Sequence, residues 1–481
     1  MSEIKISSIT SNKNIMSANN YINIEIKAKK KEPLENLILN IDKGTEIGSN
    51  NYINNSNFKF IRTSGLSEKK YLIIEDENSI LSISPDAFIN LNLKKDDILI
   101  CKDSNVGETI ILDKDYPNYM FSSGINRLNF SKDKFYALAI MKNIKFKSQL
   151  YAIIPKGATL LHAKDLYLKC IIPYPNNNEQ KNYISDLSKI IVSKEIELKN
   201  KFNILNKLVE EEIYSNSTKD FIKTDKYPKI SQLLKINRLD TGNYTEEFTY
   251  IDSLIKNYKN GYFYIDECNI KGGNTPKKRL IRANKDFEYN WITPSYIYID
   301  GTLDLNYTIK CEKNNINNNC MLIINRTSKG GTGEYVGISS YYDYDSFGKA
   351  QHNQGIYQVR NYTDNQLIFM TCIMNSYLYR KYCANLSMGS KMKELKLNNI
   401  LSIPFPKFPE EIIRKIIDLY YNKMPKGNCK QANFIKKNEE WNKTAGVLDL
   451  YNSIQNAKKT LNELIDKIYL GEDIETNYII F

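Results

Sequence analysis

The chain is poor in the residues from which metal and acid–base sites are usually built. Two histidines, His162 and His352, occur in 481 residues. Neither sits in a His-x-x-x-His or carboxylate–His pattern, so no metal centre is expected. Eight cysteines, at 101, 170, 268, 311, 320, 372, 383 and 429, form no Cys-x-x-Cys. They read as reduced, buried thiols of a cytoplasmic protein, not as zinc ligands or disulfides. No run of 18 apolar residues occurs, which excludes a transmembrane helix and a membrane partner. Residues 1–20 lack the apolar core of a signal peptide.

Catalytic patterns are missing as well. No Asn-Pro-Pro-aromatic run is present to hold a flipped adenine. No G-x-x-x-x-G-K-[ST] loop is present to cradle a phosphate. Lys329–Glu334 (KGGTGE) has its lysine before the glycines and is not such a loop. Two isolated histidines give no nucleophile–base pair. Pro85-Asp86 is not followed by a strand carrying Glu-x-Lys, so a nuclease core is not expected.

What is present in excess is positive charge and repetition. Lysine and arginine number 67 against 55 acids, a net +12, a weak pointer to a polyanion because it is spread over the whole chain. With 42% hydrophobic and 25% charged residues, long disorder is not expected, and the length suits two or three domains. The repetition is sharper. Ile171–Gln180 (IIPYPNNNEQ) returns as Ser402–Glu411 (SIPFPKFPEE), with Pro173/Pro404, Pro175/Pro406 and Glu179/Glu410 each 231 apart. Gly124-Ile125 and Gly355-Ile356 keep the same 231, Gly107 and Gly331 are 224 apart, and Asn20-Tyr21 and Asn243-Tyr244 are 223 apart. A period of that size is a tandem duplication of a globular unit followed by a helix.

The helix after the first Pro-x-Pro is expected from Glu179 to about Ser215. The prolines keep the chain extended, Asn176–Asn178 offer N-caps, and Glu179 suits the first turn. Ile184, Leu187, Ile191, Leu198, Leu205 and Leu208 form one apolar seam, which needs a partner. The second helix is expected over Glu410–Asn422, with a break at Met424–Gly427. A heptad seam of Val447, Leu450, Ile454, Ala457, Leu461, Leu464 and Ile468 resumes beyond it and ends at a Gly471 cap. Strands are expected at Asn57–Gly65, Lys94–Cys101, Phe121–Phe130 and Met321–Asn325. Helices are expected over Phe135–Ile144 and Leu367–Tyr382. The basic run Lys27–Pro33 reads as a solvated surface, and Trp291 as core in preference to a base-stacking platform.

From about residue 35 to 470 the chain resembles the specificity subunit of type I restriction-modification systems. The resemblance is carried by FIRTS (Phe60–Ser64), GGNTPKK (Gly272–Lys278), WITP (Trp291–Pro294), RTSKGGTGEY (Arg326–Tyr335), the HNQGIY segment at His352 and the MGSKMKEL…IPFP ending. IPYPNNNEQ is its best single piece. Two departures stand out: the first unit has KDSNVGE and Ser122-Ser123 where the second has a glycine-rich loop and Asn353-Gln354, and the second helix is interrupted.

The resemblance implies an α+β chain with two pseudo-repeated, mixed α/β target-recognition domains separated by two long antiparallel helices in a coiled coil. Their expected extents are 1–175 and 218–406 for the domains, and 176–217 and 407–471 for the helices, the latter interrupted near 424–438. It implies a non-catalytic subunit that reads a bipartite, asymmetric site in double-stranded DNA. It would position two adenine-N6 methyltransferase subunits there, and restriction/translocase subunits with them. S-adenosylmethionine, ATP and magnesium would belong to those partners. An orphan DNA-binding regulator, or a nuclease or methyltransferase with an unrecognised centre, are the alternatives. Side chains suited to base edges and phosphates are Arg62, Thr63, Lys102, Asn105 and Arg127 in the first unit. In the second they are Lys277, Lys278, Arg279, Arg326, Lys329, Asn353, Gln354, Ser390 and Lys391. Gly330, Gly331 and Gly333 either let backbone approach a phosphate or simply make a turn.

Overall fold

The computed structural model describes residues 24–155, 161–218, 229–231, 234, 241–277, 279–280, 287–306, 308–327 and 335–480. Lys278, Lys329 and the three loop glycines fall outside them, and of Arg279 only the backbone is described. The chain divides into two compact units. One gathers Met1–Glu197, Pro425–Lys443 and Asn452–Phe481, the other Leu198–Met424 and Thr444–Tyr451. The division passes through both long helices, so each unit owns part of each.

The first unit holds a four-stranded antiparallel sheet in the order Ile38–Lys43, Ile125–Phe130, Ile98–Cys101, Thr109–Ile111. Ile98, Leu99, Ile100 and Cys101 are all buried. A strand covered on both faces reads as a continuous apolar run, which is why KKDDILIC shows no alternation. A second sheet runs Ile80–Ser82, Lys59–Ile61, Tyr119–Phe121, with the last pair parallel. Lys30–Pro33 pairs with Ile171–Tyr174. The basic run is therefore part strand; Ala28 within it is 3% exposed, while Lys27, Lys29, Lys30 and Lys31 are exposed.

The second unit repeats this plan. Its four-stranded sheet runs Ile270–Gly272, Ile356–Val359, Cys320–Ile324, Ser339–Tyr342. Ile309–Cys311, Tyr289–Ile292 and Ala350–His352 repeat the three-stranded sheet, again with the last pair parallel, and Arg279–Leu280 adds an edge. Tyr262–Phe263 pairs with Phe405–Pro406. The partners Phe60↔Met120 and Trp291↔Gln351 stand 231 residues apart, so the period seen in the letters is also a period of strand register. Trp291 is buried.

Each expected helix after the sheet is two helices. Lys134–Lys142 and Ile144–Ile153 meet at Asn143, whose side chain accepts from Lys145 N. Asp364–Asn375 and Tyr377–Leu386 meet at Ser376, which caps in the same way, and the former opens on a Thr363/Gln366 capping box. A capping residue in extended conformation stops one helix and starts the next without interrupting the apolar pattern. From these helices Tyr136 donates to the Pro173 carbonyl and Tyr379 to that of Pro404, so each Pro-x-Pro is held by a tyrosine of its own unit.

The first long helix spans Asn178–Asn216 and is capped by Asn177 Oδ1, which accepts from Gln180 N at 2.9 Å. Ile184, Leu187, Ile191, Leu198 and Leu205 are buried. Leu208 is half-exposed, and Val209 and Ile213 take the inward positions. A straight helix of 3.6 residues per turn drifts about 20° per heptad from a seven-residue seam, so three heptads beyond Leu187 the inward direction lies nearer Val209 than Leu208. On the second long helix Val447, Leu450, Ile454, Ala457, Leu461, Leu464 and Ile468 are all buried. Within the first unit Lys458 Nζ lies 2.6 Å from Glu195 Oε1, an ion pair between the two helices.

The interruption is an excursion with closed ends. The second helix runs Glu410–Tyr420 and resumes at Val447–Leu470. A Cβ on Gly446 would lie 2.5 Å from the Tyr420 carbonyl carbon, so the chain returns to the point it left. The Asp449 carboxylate accepts from Asn422 N (2.7 Å), Met424 N (2.9 Å) and Gly446 N (2.9 Å), closing the neck. The excursion contains its own helix, Phe434–Thr444. Inside the first unit Phe434 lies against Tyr183 and Tyr478, and Lys194 Nζ stands 4.0 Å from the Trp441 ring. Gly471 has φ +73°, the left-handed cap expected of it. All eight cysteines are free, but Cys268 is exposed and Cys429 half-buried, so burial holds for six.

Candidate nucleic-acid interface

In the second unit, loops far apart in sequence converge on Gly355. A Cβ there would meet Asn353 Oδ1 at 2.9 Å and Arg326 O and Pro294 Cγ at 3.1 Å. Asn353 N donates to Ile292 O (2.9 Å), and Asn274 N to His352 O (3.3 Å). Arg326–Thr327 pairs with Lys393–Glu394, and Arg326 Nη2 donates to Glu394 Oε1 at 2.9 Å. Ser390 and Lys391 sit at the tip of the turn closed by the Met388–Glu394 bridge. Lys277, Gln354, Ser390 and Lys391 are exposed, while Asn353 and Arg326 are half-buried.

The first unit builds the same cluster on Gly124. A Cβ there would meet Thr63 Cγ2 at 2.9 Å and Asp103 Cβ at 3.4 Å. Lys102 N donates to Gly124 O (2.9 Å), and Asn105 Nδ2 to Thr63 O (3.2 Å). Arg62 and Asn105 are exposed, and Lys102 and Thr63 half-buried. His162 Nδ1 stands 2.8 Å from Asp103 Oδ1 on the same loop.

Arg127 does not join this cluster. Its guanidinium binds Asp42 and Asp97 and the Leu91 and Asn92 carbonyls, and its side chain is 16% exposed. With its donors turned inward it braces the sheet, and we leave it out of the interface. His352 is buried as well, and burial pushes it down to about 4, so it is neutral and offers phosphate no charge.

Two glycines that the sequence did not single out set the geometry. A Cβ on Gly44 would lie 2.0 Å from Ser122 O, and one on Gly273 2.0 Å from Asn353 O. Both obstacles are backbone, in matching places of the two units. Gly273 lies in GGNTPKK, where its neighbour Gly272 hid which glycine mattered. Gly44 had no such motif around it. Gly44→Ala and Gly273→Ala are expected to destabilise the protein by roughly 1–3 kcal/mol each, the cost of overpacking. Gly48→Ala, with nothing within 4 Å of its Cβ, should change little. Denaturant midpoints of the three variants check this.

Among the described residues no group of three or more His, Cys, Asp or Glu could hold a metal ion. No described helix is long and apolar enough to cross a membrane. The arrangement offers hydrogen-bond donors and acceptors on loops held by rigid strands, which suits binding.

No family model matches the chain, and no curated protein matches it. Several solved structures are similar to it, these three among them. One is a type I restriction-modification S subunit from M. genitalium, at 15% identity, covering 96% of this chain and 100% of that one, TM-score 0.40. Another comes from a study of complex assembly and conformational transition in the type I R-M system (12%, 92% and 98%, TM-score 0.28). The third is the HsdS subunit from Thermoanaerobacter tengcongensis (11%, 92% and 97%, TM-score 0.28).

Proposed function

We propose that the chain is the non-catalytic DNA-specificity subunit of a type I restriction-modification complex. The observation that carries this reading is the pair of loop clusters on Gly124 and Gly355. Both are built on the same strand topology with the same tight glycine contacts, yet they present different side chains. One scaffold displaying two unlike readers suits a target of two unlike halves. The resemblance in the letters and the excess of lysine and arginine point the same way. In this reading the two long helices pair antiparallel as the spacer that fixes the unread gap between the halves. Two methyltransferase subunits, and restriction/translocase subunits where present, dock on the chain in the cytoplasm. They bring S-adenosylmethionine, ATP and magnesium.

Two measurements test this. The purified chain should bind no S-adenosylmethionine by calorimetry; binding would sink the reading. It should bind duplex DNA with an affinity that falls steeply from about 50 to about 200 mM salt, each phosphate contact steepening the log–log slope by roughly 0.9. A flat response would remove the basic-surface argument.

A further inference from the structure

The segment that follows the reading loop of the first unit is tied down by buried charge. Thr63–Gly65 form a single 3-10 turn with Arg62 at its N-cap, and Ile74 N donates back to Gly65 O at 3.0 Å, pinning its base. Between them, residues 66–73 run under the long helices. Glu195, on the first helix, accepts from Tyr71 N at 2.8 Å and Leu72 N at 3.2 Å through Oε2, and from Lys458 Nζ at 2.6 Å through Oε1. Lys458, on the second helix, also donates to Lys69 O at 2.8 Å. Lys142 Nζ donates to the Ser67, Lys70 and Thr109 carbonyls at 2.7, 2.8 and 3.0 Å. Both ammonium groups stand 5.2 Å from the centre of the Tyr71 ring. The Glu195 side chain is 5% exposed and that of Lys458 15%.

A carboxylate inside a protein is costly unless its oxygens are filled. Here they are filled by two backbone N–H groups of one segment and by the ammonium of the other helix. Leucine in place of Glu195 would suit the apolar seam but would leave those two N–H groups unsatisfied. The carboxylate therefore buys geometry: it fixes the path of residues 69–72 against the helices.

The second unit places an anchor at the matching point with other chemistry. Lys70 corresponds to Gly301 by the 231-residue period. Gly301 O accepts from Tyr420 OH at 2.7 Å, on the second long helix. Position 451 is the counterpart of 195 once the period and the excursion 421–445 are both counted, and Tyr451 lies 6.3 Å, centroid to centroid, from Tyr298. In each unit, then, the stretch beyond the reading loop is fastened to a long helix, by ions in the first and by tyrosines in the second.

We propose that Glu195 and Lys458 are positioning residues for the Arg62–Gly65 loop, holding it in the pose that reads the first half of the target. The inference rests on the DNA-specificity reading above. The full chain, co-expressed with its methyltransferase partners, is presented with a random-sequence duplex pool to define both halves. Cognate duplexes and duplexes altered in one half are then titrated with wild type, Glu195→Gln and Lys458→Met. Loosening the anchor should lower discrimination at one half by about ten-fold, the worth of a base pair. Discrimination at the other half and affinity for unrelated DNA should stay as in wild type. A uniform loss for all duplexes, or discrimination unchanged at both halves, would overturn the positioning role. Should Glu195→Gln fail to fold, Lys458→Met carries the test, because it leaves both N–H bonds to Glu195 in place. A wild type with no sequence preference at all would instead remove the specificity reading itself.

Discussion

Replacing residues 225–400 with the matching unit of a related chain should change one half of the methylated target and leave the other half as it was. The loops that converge on Gly355 come from around 273–277, 293–295, 326–327, 353–355 and 388–395, so the exchanged stretch carries the whole cluster. The loops on Gly124 all lie before residue 165 and are untouched. Each wrong base pair costs roughly 1–3 kcal/mol, so a half-site with several changes should lose about a thousand-fold or more in affinity. Mapping methylated adenines genome-wide with the intact system reads both halves at once. The two clusters differ in their side chains, so the motif should be split and not palindromic. A continuous or perfectly palindromic motif would refute the two-reader architecture.

The double substitution Leu198→Asp with Leu205→Asp should abolish the paired helices and the complexes built on them. Leu198 is 5% exposed and Leu205 1%. A carboxylate at either place would be buried in the apolar seam, and each change should cost roughly 4 kcal/mol or more. Together they approach the whole stability of a typical domain, about 5–15 kcal/mol. Limited proteolysis should cut the variant within the first long helix, and the methyltransferase partners should no longer co-purify. Leu208→Asp on the same helix is the contrast. Leu208 is half-exposed, and its change should cost only about 1 kcal/mol. Equal protease resistance in wild type and the double variant would reject the pairing.

The sequence showed the duplication because two copies were available to compare. Pro-x-Pro, the helix start and the Gly-Ile bend keep one offset, and each is fixed by backbone chemistry that tolerates few other residues. The seam Val447–Ile468 was legible for a similar reason, since every position in it faces inward. Leu208 was misplaced because a seven-residue pattern extended along a straight helix slips toward Val209. Asn143 and Ser376 were passed over because a capping side chain leaves no gap in an apolar pattern. Arg127 looked like a DNA contact because its partners Asp42 and Asp97 are 85 and 30 residues away. A charge partner that remote is invisible without the sheet that joins them. Gly44 was missed because what forbids a side chain there is the Ser122 carbonyl, a contact made by folding alone.

The neck at Tyr420 and Gly446 separates two quantities that are usually one. In most helical spacers an added residue advances the axis by about 1.5 Å and turns it by about 100°. Here residues 421–445 leave the second helix and return to the same place, with Asp449 as the clasp. The exposed turns of the excursion can therefore lengthen or shorten without changing the helical phase of the heptad that follows, so long as Phe434 and Trp441 keep their places against Tyr183 and Lys194. On the function proposed above, two related chains could differ in length at this point and still measure out the same stretch of duplex, because such a ruler would be graduated in turns of helix and not in residues of chain.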